Sequence, residues 1–386
     1  MYNISQNLVN EKHSYAYSDL IKIASLNDIN ISIFYLLIPS GIIISSIPFA
    51  GKSYTLFPFG SPMYYVVSLM LAVLLILGGL TAAFAQEEGK SKTIVFIPKS
   101  TDVTYWLFLR KGATDKASEL GYTVDYQGVA TEADIAGQVN LVNNIVATKP
   151  AGILMAATDA KALQPAVENG IKAGIPIIMV DSGIEDKTIP LANITTDNFD
   201  GAYKAGLLLA DMIGGKGKVA NIGITAGSQT GRERSDGFIE AMKKFPDIQV
   251  LPVQWTDAIA ATAMNIATDL LNANPDLVGF YSAAAPMGVG IAQALKAKGL
   301  DQKVKLITFD PSPETLPLFE EGTINAIIAQ DPYQMGYRGV EMLDKVIKGG
   351  KIEEDERNIQ IPVAIITPEN YNSPESQKLL QTPDKF

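Results

Sequence analysis

The sequence predicts an α/β protein built from two doubly wound, parallel-sheet domains. Three observations support this class. Short β-rich runs alternate with helical patterns from Lys92 onward, the runs are almost continuously apolar, and they are too numerous for one comfortable sheet. Continuous apolar runs are expected of parallel strands that helices cover on both faces. In such folds, ligands bind beyond the carboxyl ends of the strands.

The predicted strands follow one another along the chain with helical segments between most of them. They are TIVFIP (93–98), YTVDYQ (122–127), AGILMA (151–156), IPIIMV (175–180), KVANIGI (218–224), QVLPV (249–253), DLVGFYS (276–282), VKLITF (304–309) and INAIIA (324–329). Between the first and second strands, residues 106–120 have apolar positions at helical spacing, and Gly121 is a C-cap. Residues 135–149 repeat this pattern and stop before Pro150. Gly288 and Gly290 follow a strand but lack the third glycine of a dinucleotide fingerprint, which favours tight helix packing instead.

Composition excludes several kinds of chemistry. The chain has 386 residues, a formal net charge of −10 and no cysteine. An acidic protein without a basic run has no electrostatic reason to bind nucleic acid. The single histidine, His13, precedes the predicted export signal, so we expect neither His nor Cys in the mature protein. This excludes Ser-His-Asp and Cys-His catalysis and argues against a metal or cofactor.

Residues 63–85 are predicted to be a secretory signal peptide. No charge occurs between Lys52 and Glu87, and an Ala-Phe-Ala cleavage site precedes Gln86. Residues 1–62 are unusual upstream of a signal. They either come from a start codon placed too far upstream or form a genuine extension. The alternative to cleavage is an uncleaved membrane anchor.

Polar and aromatic side chains follow the predicted strands. Lys99, Asp102, Tyr105 and Trp106 follow the first strand, and the later strand ends carry Asp181, Ser182, Arg232, Arg234, Asp310 and Gln330. Paired donors and acceptors suit sugar hydroxyls, and aromatic rings suit the C–H face of a sugar. Each residue also has a structural alternative, because a strand-end Asp often caps a helix and aromatic residues often pack a helix onto a sheet.

Several stretches together resemble the ribose-binding type of periplasmic sugar-binding proteins of ABC importers, which have the type I periplasmic binding fold. They include KGATDKASELGYTV, AGIPIIMVDS, TTDNFDGAYKAG, RERSDGF, ITFDPSPE and EGTINAIIAQDPYQMGYRGVEMLDKVIKG. The resemblance implies two lobes joined by a three-strand hinge, with crossings near Thr196, Asp331 and Asn358. The first lobe would comprise residues 92–196 and 331–358, and the second residues 197–330 and 359–386.

The resemblance also implies ligand-binding roles. The aromatic pair of the family matches Tyr105 and Trp106, its aspartate matches Asp181, and its inward arginine matches Arg234 rather than Arg232. The later aspartate and glutamine of the family match Asp310 and Gln330.

The chain departs from the ribose binders at three positions. It has Ser182 where they have Arg, Ala284 near their Asn, and Ala258 near their stacking aromatic, for which Trp255 is a candidate substitute. Other stretches, including IPK (97–99), are more similar to binders of rhamnose and of the quorum signal autoinducer-two, in which the corresponding lysine contacts ligand. Lys99 is therefore a candidate ligand residue.

We therefore expect a periplasmic, non-catalytic receptor of a sugar ABC transporter. Its partners would be a monosaccharide or small polyol and an inner-membrane ABC permease, and it would act as a monomer without nucleic acid. One alternative is a membrane-anchored sugar sensor or chemotaxis receptor component with the same pocket. A LacI-type repressor is a third alternative, but it would need an N-terminal helix-turn-helix and a basic face, whereas this sequence has an apolar export signal and a net negative charge. A carbohydrate-active enzyme that uses paired catalytic carboxylates is a fourth.

Overall fold

The structure is a computed structural model that describes residues 23–25, 32–38, 41–49, 52–54 and 91–380. The chain divides into two compact units, residues 1–90 and 91–386. In the first unit an antiparallel sheet contains β1 (Ile23–Ser25), β2 (Ser32–Ile38), β3 (Gly41–Phe49) and β4 (Lys52–Tyr54), in that order. The predicted signal peptide, residues 63–85, lies outside the described residues. Among the described helices, none is long and apolar enough to span a bilayer.

The second unit has two lobes, and the first lobe is built on a six-stranded, fully parallel sheet. Its strands are β5 (Thr93–Ile97), β6 (Thr123–Tyr126), β7 (Gly152–Met155), β8 (Ile177–Val180), β9 (Ala192–Thr196) and β16 (Asn358–Ile361). Their order across the sheet is β16-β9-β8-β7-β5-β6.

Helices cover both faces of this sheet. They are α1 (Tyr105–Leu120), α2 (Ile135–Thr148), α3 (Gln164–Lys172) and α9 (Pro332–Ile347). One apolar core lies between the sheet and the helices α1 and α9, and a second lies between the sheet and the helices α2 and α3. A short 3₁₀ helix (Glu354–Glu356) precedes β16. Burial on both faces explains why these strands are almost entirely apolar.

The second lobe repeats this architecture on a seven-stranded sheet. Its strands are β10 (Gly217–Gly223), β11 (Ile248–Val250), β12 (Gln254–Trp255), β13 (Leu277–Ser282), β14 (Lys305–Phe309), β15 (Ala326–Ala329) and β17 (Ala364–Ile366). The order is β11-β10-β13-β14-β15-β17, with β12 also paired to β10, and only the β15–β17 pair is antiparallel. The helices are α4 (Asn198–Met212), α5 (Gln229–Met242), α6 (Ala260–Ala273), α7 (Ala285–Lys298), α8 (Thr315–Glu320) and α10 (Pro374–Leu380).

The predicted fold class is confirmed, and the differences are local. The first helix ends at Gly121, which has the predicted left-handed C-cap conformation with φ 80°. The single strand predicted over residues 249–253 is instead two short strands, β11 and β12, with Pro252 between them. Proline lacks the N–H that a ladder requires, which explains the interruption.

The chain crosses between the lobes three times. The crossings follow β9, β15 and β16. The third lies between Ile361 and Ala364 rather than near Asn358, because residues 358–361 pair with β9 as an edge strand of the first lobe.

Glycines allow pairs of helices to approach closely in both lobes. A methyl group on Gly290 of α7 would lie 2.2 Å from the carbonyl oxygen of Ala260 in α6. In the first lobe, a methyl group on Gly112 of α1 would lie 2.0 Å from the carbonyl oxygen of Tyr333 in α9. The interpretation of Gly288 and Gly290 as packing glycines is confirmed, because a methyl group on Gly288 would also lie 2.4 Å from Thr308 Oγ1.

We predict that Gly290→Ala lowers the free energy of unfolding by about 1–3 kcal/mol, because α6 and α7 must separate. Because the added methyl group would meet backbone atoms rather than a flexible side chain, we expect its cost in the upper part of this range, above the about 1 kcal/mol that the higher helix propensity of alanine returns. Urea unfolding measures the change. Gln293→Ala, at an exposed position on the same helix, is the control and should stay within about 0.5 kcal/mol of the parent. A Gly290→Ala protein as stable as this control would contradict the close-packing account.

Candidate functional site

A cleft of about 270 Å³ lies between the two lobes and is lined by residues that follow strands of both sheets. Because parallel strands all end at the same edge of a sheet, each lobe presents its strand-end residues to this cleft. All of the predicted ligand residues except Ser182 and Trp255 line it, namely Lys99, Asp102, Tyr105, Trp106, Asp181, Arg234, Asp310 and Gln330.

A continuous series of polar contacts crosses the floor of the cleft. On the first lobe, Lys99 Nζ lies 3.5 Å from Asp181 Oδ2, and the Tyr105 hydroxyl donates to Asp181 Oδ1 at 2.8 Å. The same hydroxyl lies 3.4 Å from Gln330 Oε1, at the second chain crossing. Gln330 Nε2 then donates to Asp310 Oδ1 of the second lobe at 2.6 Å. Two buried carboxylates, one from each lobe, are thus connected through a tyrosine and an amide.

Arg234 ends this series in the second lobe. Its guanidinium lies 3.7 Å from Asp310 Oδ2, and it donates to Asn198 Oδ1 at 2.8 Å and to the carbonyl oxygen of Ala283 at 2.7 Å. It also lies 4.1 Å from the centre of the Phe309 ring. These contacts fix the orientation of a side chain that is only 2% exposed. Arg232, in contrast, is bonded to backbone carbonyls of its own loop and does not line the cleft.

Two of the three aspartates that line the cleft have left-handed backbone conformations. Asp181 has φ 63° and Asp310 has φ 69°, and each lies directly after a strand, β8 or β14. Their N–H groups donate to the neighbouring strands, at Ile194 O (2.9 Å) and Ile328 O (3.0 Å). Aspartate and asparagine tolerate this conformation better than other residues with a Cβ. The sheet therefore imposes the direction in which each carboxylate leaves the backbone.

Lys99 also connects the lobes. Its ammonium donates to Ser228 Oγ at 3.1 Å and to Thr230 Oγ1 at 3.0 Å, both in the second lobe at the start of α5. Together with Asp181 these partners account for its three donors. Lys99 lines the cleft, and its contact with ligand stays a prediction.

Three other predicted ligand residues either lie outside the cleft lining or expose very little surface. Ser182 is fully buried behind the cleft. Trp255 is 37% exposed, and its ring lies over Gly223, outside the cleft lining. Trp106 lines the cleft but is 2% exposed, and its ring meets Tyr105 edge-on, with centroids 5.0 Å apart.

Glu132 is a cleft residue that the sequence analysis missed. It lies in the loop that leads from the carboxyl end of β6 to α2, so strand-end position is a signal that could have identified it. Its Oε2 is buried and has no hydrogen-bond partner among the described residues. Burial raises the pKa of this carboxyl, and nearby Lys99 opposes the shift while Asp181 adds to it. Burial likewise raises the pKa of Asp310, opposed by Arg234.

One side of the cleft is apolar. Two segments of the second lobe, residues 258–260 and 284–289, contribute only apolar residues to the lining: Ala258, Ile259, Ala260, Ala284, Ala285, Pro286, Met287 and Val289. We call this set the apolar wall. It includes both alanines at which the chain departs from the ribose binders.

Residues 94–351 match the family described as a periplasmic binding protein domain. Among curated proteins, the chain is 30% identical over 279 residues to the D-allose-binding periplasmic protein of Escherichia coli, covering 70% of this chain and 88% of that protein. It is 29% identical over 283 residues to the ribose import binding protein of the same organism, covering 73% and 94%.

Solved structures give the same relationship. An ABC transporter solute-binding protein from Agrobacterium vitis with bound D-fucose is 32% identical, with a TM-score of 0.72, over 75% of this chain and 100% of that one. A carbohydrate transporter solute-binding protein from Agrobacterium radiobacter in complex with D-arabinose is 35% identical, with a TM-score of 0.71, over 76% and 99%.

We predict that the stability of the parent depends on pH through Glu132. Because its pKa is raised by folding, its contribution to stability is fully present below the ordinary value of 4.5 and is lost as pH rises through the raised value. Glu132→Gln keeps the shape and cannot titrate. The variant should therefore gain stability relative to the parent between about pH 4.5 and pH 7.5, as measured by urea unfolding at both values.

Glu375→Gln, at an exposed glutamate in α10, is the control for the substitution itself. A difference between the parent and Glu132→Gln that is the same at both pH values would show that Glu132 does not titrate differently in the folded protein.

Proposed function

We propose a function from one premise, which is that this chain belongs to the family of periplasmic binding protein domains. The protein is the sugar-binding receptor of an ABC importer. The observation that supports this role most directly is the polar series between the lobes, which offers carboxylate, amide, phenol and guanidinium groups to one small cleft. Those groups are suited to hydroxyls, since a hydroxyl both donates and accepts.

Capture of the sugar would exchange hydrogen bonds rather than create them from nothing. The cleft groups bond to one another in this structure, so a sugar must replace those contacts with equal ones. Asp181, Asp310 and, at the rim, Asp102 would accept from sugar hydroxyls. Arg234 would donate, and the amide of Gln330 at the hinge would do both. Tyr105 and Trp106 would cover the apolar face of the ring. Closure of the lobes would then exclude water from the exchanged bonds.

We propose that binding is the whole of the chemistry and that no bond of the sugar is cleaved. Asp181 and Asp310 are both engaged by neutral or cationic neighbours rather than positioned as an acid and a nucleophile. Incubation of the purified protein with the bound sugar should leave the sugar intact. Release of product over time would support the rival interpretation of a carbohydrate-active enzyme.

We propose further that the protein is exported and has a membrane partner. The chain would be exported by cleavage after Ala85, would act in the periplasm as a monomer, and would deliver its sugar to a permease of the inner membrane. The rival is a membrane-anchored sensor that retains residues 64–85. The mass of the mature protein in cells distinguishes them, because only the receptor starts at Gln86.

We predict that Asp181→Asn and Arg234→Gln each weaken sugar binding by about tenfold or more, which corresponds to about 1.4 kcal/mol. Asparagine tolerates the left-handed backbone of position 181, so the variant tests the charge rather than the strain. The ligand is first chosen by a thermal-shift panel, in which a sugar at 100 times its Kd adds about 2.7 kcal/mol of stability. Calorimetric titration then gives the affinities.

Asp200→Asn is the matched control, since Asp200 lies on the surface of α4 and pairs only with Lys204 among the described residues. It should bind like the parent. Parent-like binding by both Asp181→Asn and Arg234→Gln would place the sugar elsewhere.

A further inference from the structure

The apolar wall restricts what a ligand can present to it. Its two segments precede α6 and begin α7, and no side chain in either segment that lines the cleft can donate or accept a hydrogen bond. The polar series belongs to other parts of the fold: it lies after β5, β8, β14 and β15 and on α1 and α5. A ligand in the cleft is therefore bonded through one part and meets hydrocarbon with another.

The backbone of the wall replaces the missing side chains only in part, because the first N–H groups of α6 and α7 have no side-chain cap and can donate, whereas the wall offers few free acceptors. Pro286 is in the first turn of α7 and has no N–H to donate. The carbonyl oxygen of Ala284 already accepts from Ser282 Oγ at 2.8 Å. A hydroxyl turned toward the wall would lose its bonds to water and find few partners, and an unpaired buried hydroxyl is unfavourable.

Ala258 gives a second, independent sign that the wall is apolar for a reason. It has φ 67°, a conformation in which alanine is strained and glycine is not. Its N–H donates to Thr256 Oγ1 at 3.0 Å, which fixes the loop in this shape. A methyl group is thus held at the cleft surface in a backbone conformation that favours glycine, and there it adds apolar contact area.

We propose that the sugar is a deoxy sugar whose methyl group packs against the apolar wall, most simply a 6-deoxyhexose. This inference rests on the proposed function and specifies its substrate class. The reducing-end and ring hydroxyls would be bound by the polar series, and the C6 methyl would contact Ala258, Ala284 and Pro286. A methyl group gains from burial there, whereas the C6 hydroxyl of the parent hexose would have to be desolvated.

Pairs of sugars that differ only at C6 provide the test. They are D-fucose with D-galactose, L-rhamnose with L-mannose, and L-fucose with L-galactose, each titrated into the purified full-length chain alongside D-ribose and D-arabinose. We expect at least one 6-deoxy member to bind about tenfold or more tightly than its hydroxylated partner.

The outcomes separate the inference from the proposed function. A preference for the hydroxylated member, equal affinity within every bound pair, or binding confined to the pentoses would overturn the inference and leave the sugar receptor intact. Binding of no sugar by a folded protein would overturn the proposed function itself.

A variant tests the wall directly. Ala284→Ser adds a single hydroxyl to the wall and should reduce the preference for the deoxy sugar by about threefold or more, because the C6 hydroxyl then gains a partner. Ala297→Ser introduces the same group on the exposed side of α7 and should leave the preference unchanged. An unchanged preference in Ala284→Ser would show that the methyl group does not face this position.

Discussion

The polar series of the cleft depends on two buried carboxylates, those of Asp181 and Asp310. Each is less than a tenth exposed, and an ionised carboxylate in that environment is stable only with close donors or cations. Lys99 and Arg234 supply the charge, and Tyr105 and Gln330 join the two pairs into one series. Much of the architecture can be understood as the means of holding these groups together in a place that a ligand can still reach.

The two doubly wound sheets bring these groups together. A parallel sheet ends all of its strands at one edge, so two such sheets facing each other bring many polar residues into a small volume without a long loop. Close packing of helices behind each sheet, made possible by Gly112 and Gly290, keeps the strand ends in register. The hydrogen bonds of Lys99 to Ser228 and Thr230 join the two lobes. A cation that could bind a ligand is already used to hold the lobes against each other.

The sequence was informative where the physics is local and less so where it is not. Alternating apolar runs and helical spacing determine the α/β class. Strand-end position proposed Asp181, Asp310 and Gln330 together with both Arg232 and Arg234, and only the family resemblance preferred Arg234. The edge strand β16 was not predicted, because it is short and half polar and forms only by pairing with β9. Glu132 follows the carboxyl end of β6, so strand-end position is a signal for it too, but its approach to the cleft depends on the path of a loop, which no periodicity encodes. Trp255 is close in sequence to Ala258, which lines the cleft, but its ring packs over Gly223 and does not line the cleft.

The left-handed backbone at positions 181 and 310 has a consequence for how this binding site can change over evolutionary time. Only a few residue types are tolerated in that conformation, so most single substitutions there combine the loss of a ligand contact with a loss of stability. The apolar wall has no such restriction at Ala284 or Met287, whose backbones are ordinary. Substitutions are therefore tolerated more readily in the wall than at the two aspartates. Substitutions in the wall can change which sugar is bound, whereas we expect the two aspartates to be retained when the sugar changes.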